Sequence, residues 1–170
     1  MFVKREIHII CLLLFHLCVY AGDKVVKIAC VGNSITYGAR LKNPSKDSYP
    51  GVLEQMLGKG YDVRNFGVSA RTMLNKGDHP YMKEKKYKDA LDFNPDIVII
   101  KLGTNDSKPI NWVYKSDFMN DTELLINSFK SLSSKPRIIL CLPVPSIPNG
   151  KNINNEVICN EIIPLLKKAA

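Results

Sequence analysis

The sequence predicts a three-layer α/β domain, a parallel sheet between two layers of helices, and two observations carry that prediction. Four short apolar runs rich in β-branched residues alternate along the chain with segments of helical periodicity. One of those runs, Ile97-Val98-Ile99-Ile100, shows no polar alternation, the mark of a strand covered on both faces. Crossovers between parallel strands are right-handed, and ligands of such sheets bind beyond the carboxyl ends of the strands.

Lys24 to Val31 is the first strand, with no turn former until Gly32. Tyr49 to Leu57 is a helix presenting Val52, Leu53, Met56 and Leu57 on one face, closed by Gly58 and Gly60. Tyr61 to Phe66 is the second strand, ended by Gly67. Tyr81 to Leu91 is the second helix, with Lys83, Lys85, Lys86 and Lys88 on a solvated face. Asp96 to Leu102 is the third strand, and Ser116 to Leu132 the third helix, apolar at Leu124, Leu125, Ile126 and Phe129. Arg137 to Leu142 is the fourth strand, followed by a stiff proline-rich loop, "LPVPSIPN", from Leu142 to Asn149. Asn155 to Lys168 is a fourth helix, kinked near Pro164.

Residues 1–21 stand apart from this pattern. Lys4 and Arg5 precede an almost wholly apolar stretch, Ile7 to Tyr20, and Val19-Tyr20-Ala21 offers a cut after Ala21, as in a secretory signal peptide. The stretch is shorter than the roughly 20 residues that span a bilayer, so no stable membrane anchor is expected. Bulky Leu17 before Cys18 does not suit lipoprotein processing. The protein is expected to be exported, periplasmic or extracellular, with residues 22–170 forming one domain. Of the five cysteines, Cys11 and Cys18 leave with the leader. Cys30, Cys141 and Cys159 lack the spacing of a disulfide framework or a zinc site and read as buried free thiols. The formal net charge is +8, but the lysines are scattered, which in an exported protein argues against a nucleic-acid partner. No metal or organic cofactor is implied.

The strand ends bring small and amide residues to one rim: Gly32-Asn33-Ser34, then Asn65-Phe66-Gly67, then Gly103-Thr104-Asn105-Asp106. Singly, each reads as a structural device: Ser34 as a helix cap, Gly67 as a strand end, "GTND" as a turn. Together they make a chemical unit. A serine hydroxyl attacks an ester carbonyl when a base takes its proton, and the oxyanion that forms needs two or three donors. The N–H of Ser34, the N–H of Gly67 and the side-chain amide of Asn105 are candidates for that task. A Gly-x-Ser-x-Gly elbow is not present, because Thr36 stands two residues after Ser34.

In this order and spacing, "GNSITYG", "NFGVSART" and "IIKLGTND" resemble the first three sequence blocks of the SGNH (GDSL-like) hydrolase superfamily. The resemblance spans about Val25 to Leu142; "GTND" is its most specific piece, and "GNS" is a variant of the commoner Gly-Asp-Ser. Within the superfamily, "DSYP" and "GTNDSKPINW" are similar to secreted bacterial carbohydrate esterases of the sialate O-acetylesterase-like kind. The resemblance implies a flavodoxin-like sheet and a serine esterase that works through an acyl-enzyme, with Ser34 as nucleophile and Gly67 and Asn105 in the oxyanion hole.

It also implies a base histidine and its acid from an Asp-x-x-His segment after a fifth strand, whereas the sequence stops at Ala170. His8 and His16 belong to the leader, and His79 in "NKGDHPYMK" reads as a surface-loop histidine. The chain is therefore read as C-terminally truncated, without its last strand, that segment and the last helix, and with no catalytic His or Asp of its own. A sheet edge is expected to stand open where the fifth strand belongs.

Small acyl groups on sugars, acetyl above all, are the expected substrates. Trp112 reads either as a platform for a pyranose face or as a core residue. Arg71, with Arg40 and Lys108, lies near the same rim and suits an acidic sugar. The rival reading is a non-catalytic glycan-binding protein on the same fold. A nucleotide or flavin binder ranks lower, since "GNSITYG" has neither phosphate-cradling glycine spacing.

Overall fold

A computed structural model describes residues 24–146 and 152–170; the leader expected over 1–21 and part of "LPVPSIPN" lie outside the described residues. Strands β1 (Val26–Gly32), β2 (Tyr61–Gly67), β3 (Ile97–Lys101) and β4 (Arg137–Leu140) form one sheet, parallel throughout, in the order β2-β1-β3-β4. Gly32 is in register with Gly67 and with Lys101, and Ile100 with Leu140, so the carboxyl ends open along one edge.

One-turn helices α1 (Ser34–Tyr37) and α2 (Pro44–Asp47) lead into α3 (Tyr49–Leu57). A 3₁₀ turn, Tyr81–Lys83, precedes α4 (Lys85–Asp92), which carries the chain to β3. Short α5 (Pro109–Trp112) and long α6 (Phe118–Lys130) lie between β3 and β4. The last helix, α7, begins at Asn155–Val157, widens to π geometry over Ile158–Ile162 and ends as Ile163–Ala169. The expected irregularity near Pro164 is this wide turn, since proline has no N–H to give the preceding turn. No described helix is long and apolar enough to cross a membrane.

The two faces of β1 are covered unequally. Ala29 and Val31 join Phe66, Val98 and Ile100 in the larger core, closed by Phe118, Leu125 and Phe129 of α6 and by Ile162 and Leu166 of α7. Ile28 and Cys30 face the other way, against Tyr49, Leu53 and Leu57 of α3. These three positions recur every four residues, so they share one helix face. Val52 and Met56, expected on that face, are exposed, Met56 to 79%. Each is the chain neighbour of a packed leucine and so lies about 100° around the helix from it. Leu124 is likewise exposed on α6. On β3, Val98 and Ile100 are fully buried while Ile97 and Ile99 are only partly so, which corrects the expectation of full cover on both faces. β4 is an edge strand, and Ile139 on it is exposed.

Cys30 is fully buried, whereas Cys141 and Cys159 are partly buried, and all three are free thiols. Burial pushes the Cys30 thiol up to about 12, against the pull of a hydrogen bond with Tyr49.

The long segment between β2 and α4 has little regular structure of its own and is held from outside by side chains. The fully buried Asp106 takes the Met73 N–H at 3.0 Å on one carboxylate oxygen and the Leu74 N–H at 2.8 Å on the other. Asp121 of α6 accepts the Asn75 N–H at 2.7 Å and its side-chain amide at 2.9 Å. Asn111 of α5 accepts the Asp78 N–H at 2.8 Å and donates to the Asp78 carboxylate at 3.0 Å. Burial pushes the Asp106 carboxyl up to about 6, although the N–H groups of Leu74, Met73, Asp106 and Gly103 pull it down.

Phe129→Ala, which empties a fully buried site, is expected to cost about 3–5 kcal/mol in urea unfolding. Met56→Ala on the exposed face of α3 is expected to stay within about 0.5 kcal/mol. Asp106→Asn turns one acceptor into a donor facing a buried N–H, so about 1–3 kcal/mol of stability should be lost at pH 7. Because its folded-state pKa lies above the ordinary value of 3.8, proton binding by Asp106 stabilises the fold fully below that value. This contribution is lost as pH rises through about 6. The stability gap between wild type and Asp106→Asn should therefore narrow between about pH 4 and pH 7; a constant gap in unfolding midpoints would contradict this assignment.

Candidate active site

The chain leaves β1 at Gly32 and turns at once into α1, whose first residue is Ser34. Asn33 caps that turn, its side-chain oxygen accepting the Ile35 N–H at 3.0 Å, a task that needs no charge. Gly38 ends it in the left-handed region at φ 84°, and the N–H groups of Gly38 and Ala39 both donate to the Ser34 carbonyl. The turn sits so low on the sheet that a side chain at Gly32 would strike Thr36 and come within 2.7 Å of the Lys101 carbonyl. A side chain at Gly67 would strike the Tyr37 amide. Those two glycines let α1 rest on the strand ends and leave Ser34 partly exposed at the rim.

Ser34 lines a cavity of about 450 Å³ together with Ser69 and Ala70 from the loop after β2 and Thr104, Asn105 and Lys108 from the loop after β3. Val144, Pro145 and Ile153 complete an apolar side. A second cavity of about 400 Å³ shares Ser34, Ile35 and Ala39 and extends past Gly38 to Arg40 and Leu41. Ser34 thus stands between two compartments.

Three of the expected site residues lie elsewhere than this cavity. Gly67 is buried beneath α1, and its N–H donates to the Asn65 side-chain oxygen at 2.9 Å, so it is not a free oxyanion donor. Ala70 lines the cavity instead. Its φ of 69° is a left-handed backbone that costs an L-residue roughly 1–2 kcal/mol, and its N–H makes no hydrogen bond among the described residues. Arg71, expected as a substrate contact, has its guanidinium committed: Nε and Nη2 donate to Glu84 at 2.9 and 2.7 Å, and Nη1 to the Ser69 carbonyl at 2.8 Å. Trp112 is a core residue, meeting Phe118 edge-on at 5.4 Å between ring centroids, and is not a platform at the rim. Only a left-handed alanine at a loop bend distinguishes Ala70, and sequence alone carries no signal for that.

Asn105 is in the cavity wall as expected. One Nδ2 hydrogen donates to the Arg71 carbonyl at 3.0 Å, leaving the second. Its backbone carbonyl accepts from the Asn111 side-chain amide at 2.8 Å. Lys108, the one cation on this wall, pairs with Asp78 at 3.1 Å. His79 is the one histidine among the described residues; it is exposed and lines neither cavity. Among the described residues no cluster of His, Cys, Asp and Glu is placed to hold a metal.

The chain as a whole is similar to known proteins. The model of the GDSL-like lipase/acylhydrolase family matches residues 30–169. A protein of Xylanibacter ruminicola named acetylxylan esterase is 47% identical over 165 residues, covering 87% of this chain, which spans 34% of that protein's length. Est24, a carbohydrate acetylesterase from Sinorhizobium meliloti, superposes with a TM-score of 0.66 at 23% identity over 85% of this chain and 79% of its own. The aryl esterase of M. smegmatis superposes with a TM-score of 0.64 at 23% identity, with the same two coverages. Such distant likenesses establish the fold, and the family match covers most of the chain: it belongs to the GDSL-like lipase/acylhydrolase family.

Proposed function

We propose that the protein is a carboxylic ester hydrolase that removes small acyl groups, acetyl above all, from carbohydrates, with Ser34 as nucleophile. The observation that carries this is one cavity, at the carboxyl edge of the sheet, that holds Ser34, Ala70 and Asn105. The Ser34 oxygen attacks the ester carbonyl as a base removes its proton, and the carbonyl electrons move to oxygen. The N–H groups of Ser34 and Ala70 and the free Nδ2 hydrogen of Asn105 receive that oxyanion. Collapse breaks the bond to the sugar oxygen, which takes the proton back from the base and leaves as the hydroxyl, and water hydrolyses the remaining acyl-serine by the same path.

The 47% identity with a protein named for acetylxylan supports a sugar ester, and the Ile35, Val144 and Ile153 walls suit a short apolar acyl group. A neutral sugar is favoured over a sialate, because Lys108 on the wall already has Asp78 as its partner. Among the described residues no histidine lines either cavity. Export through the leader of residues 1–21 would bring the enzyme to such glycans. A second reading, glycan binding without turnover, has that same lack of a lining histidine in its favour.

In the natural full-length protein, Ser34→Ala is expected to lower p-nitrophenyl acetate hydrolysis on the order of 10⁴-fold or more. Asn105→Ala is expected to lower kcat on the order of 10²–10³-fold with KM little changed. Undiminished turnover by Ser34→Ala sinks Ser34 as the nucleophile, whereas calorimetric binding of acetylated xylo-oligosaccharide without hydrolysis would favour the second reading.

A further inference from the structure

We propose that Arg71, braced by Glu84, is the positioning residue of the oxyanion site, aiming the Ala70 and Asn105 donors together. The inference rests on the reading of those two groups as oxyanion donors. Peptide planarity is what links Arg71 to Ala70. The Ser69 carbonyl and the Ala70 N–H belong to one rigid unit and point in opposite directions, so fixing the oxygen fixes the hydrogen. Arg71 Nη1 donates to the Ser69 oxygen at 2.8 Å at one edge of that plane, and at the other edge stands the N–H of Ala70, a cavity-lining residue, with no hydrogen-bond partner among the described residues.

An alanine adopts φ 69° against its preference, so the bend needs a restraint. Glu84 supplies the anchor, one carboxylate oxygen taking both Nε and Nη2 at 2.9 and 2.7 Å in a pair whose side chains are about three-quarters covered. The Glu84 amide in turn donates to the carbonyl of Tyr81, a fully buried residue whose hydroxyl donates to the Phe66 carbonyl. The brace therefore reaches from the core to the rim. The carbonyl of Arg71 also accepts Asn105 Nδ2 at 3.0 Å, which turns that amide's remaining hydrogen. One residue thus grips both donors, through its side chain and through its backbone. The guanidinium also carries positive charge to the Ser69 oxygen, which polarises the peptide and strengthens the Ala70 N–H as a donor. A lysine cannot reproduce this, because one ammonium lacks the planar fork that meets two partners at fixed angles.

The test compares Arg71→Lys and Glu84→Gln with wild type in the natural full-length protein, on p-nitrophenyl acetate, with Ser34→Ala and Asn105→Ala in parallel. Arg71→Lys is expected to lower kcat about 10- to 10²-fold, less than outright loss of a donor, with KM within about two-fold. Inhibition by methylboronic acid, a tetrahedral mimic, should weaken by a similar factor, which a loss of general stability would not produce. Glu84→Gln keeps the size of the anchor while removing its charge and should give a smaller loss of the same kind; it decides the matter if Arg71→Lys folds poorly. Wild-type kcat and boronate affinity in both variants, with Ser34→Ala and Asn105→Ala inactive, overturns the role of Arg71 alone. Activity that survives Ser34→Ala overturns the reading of Ser34 as nucleophile with its oxyanion site, and this inference with it.

Discussion

The buried carboxylate of Asp106 is the constraint on which the rim depends. It follows Asn105 directly, so the residue that offers an amide to the cavity is rooted by its neighbour in the core. By taking the adjacent N–H groups of Met73 and Leu74, it fastens the loop after β3 to the loop after β2. A carboxylate with several backbone donors is a strong clamp, yet its full burial offsets much of that gain, and the balance leaves its pKa well above the usual aspartate range. The loop it holds contains Ala70 and Arg71, and Asn111 and Asp121 hold that loop further along. Three side chains from the β3 to β4 connection thus do for an irregular segment what a hydrogen-bonded ladder does for a strand.

The sheet supplies the other half of the placement. Parallel strands in register bring Gly32, Gly67 and Lys101 to one level, and the absence of side chains at the two glycines lets the first turn of α1 settle there. Asn33 holds that turn from within and Tyr49 meets Thr36 at 3.4 Å from α3. Ser34 is therefore fixed by backbone geometry on one side, while the facing amides are fixed by side-chain contacts on the other. The two walls of the cavity have different mechanical origins.

The sheet and the Ser34 and Asn105 positions are legible in the sequence because they depend on local pattern: β-branched runs, a glycine at a strand end, an amide after an apolar stretch. Helix faces are less legible, since Val52 and Leu53, or Met56 and Leu57, are equally apolar and only the sheet beneath decides which of each pair is covered. Gly67 attracts the role of a donor because glycine advertises an open backbone, yet here the openness serves the packing of α1. Ala70 has a methyl group and so gives no such sign. Trp112 and Arg71 have the chemistry of surface contacts, and what removes them from that role is a ring 5.4 Å away and a carboxylate contributed by the approach to α4. Those are tertiary contacts, which no spacing along the chain encodes.

Cys30 lies on β1, four residues before Ser34 at the start of α1, and its burial has a consequence for selective labelling. With its proton held up to about pH 12, it offers almost no thiolate in neutral solution and no access for a reagent. Oxidants and soft electrophiles therefore find no partner at Cys30, which packs against α3. A hard phosphorylating or sulfonylating probe, by contrast, meets a hydroxyl at the rim, so the chemistry of the reagent separates two potential nucleophiles on one strand-to-helix segment.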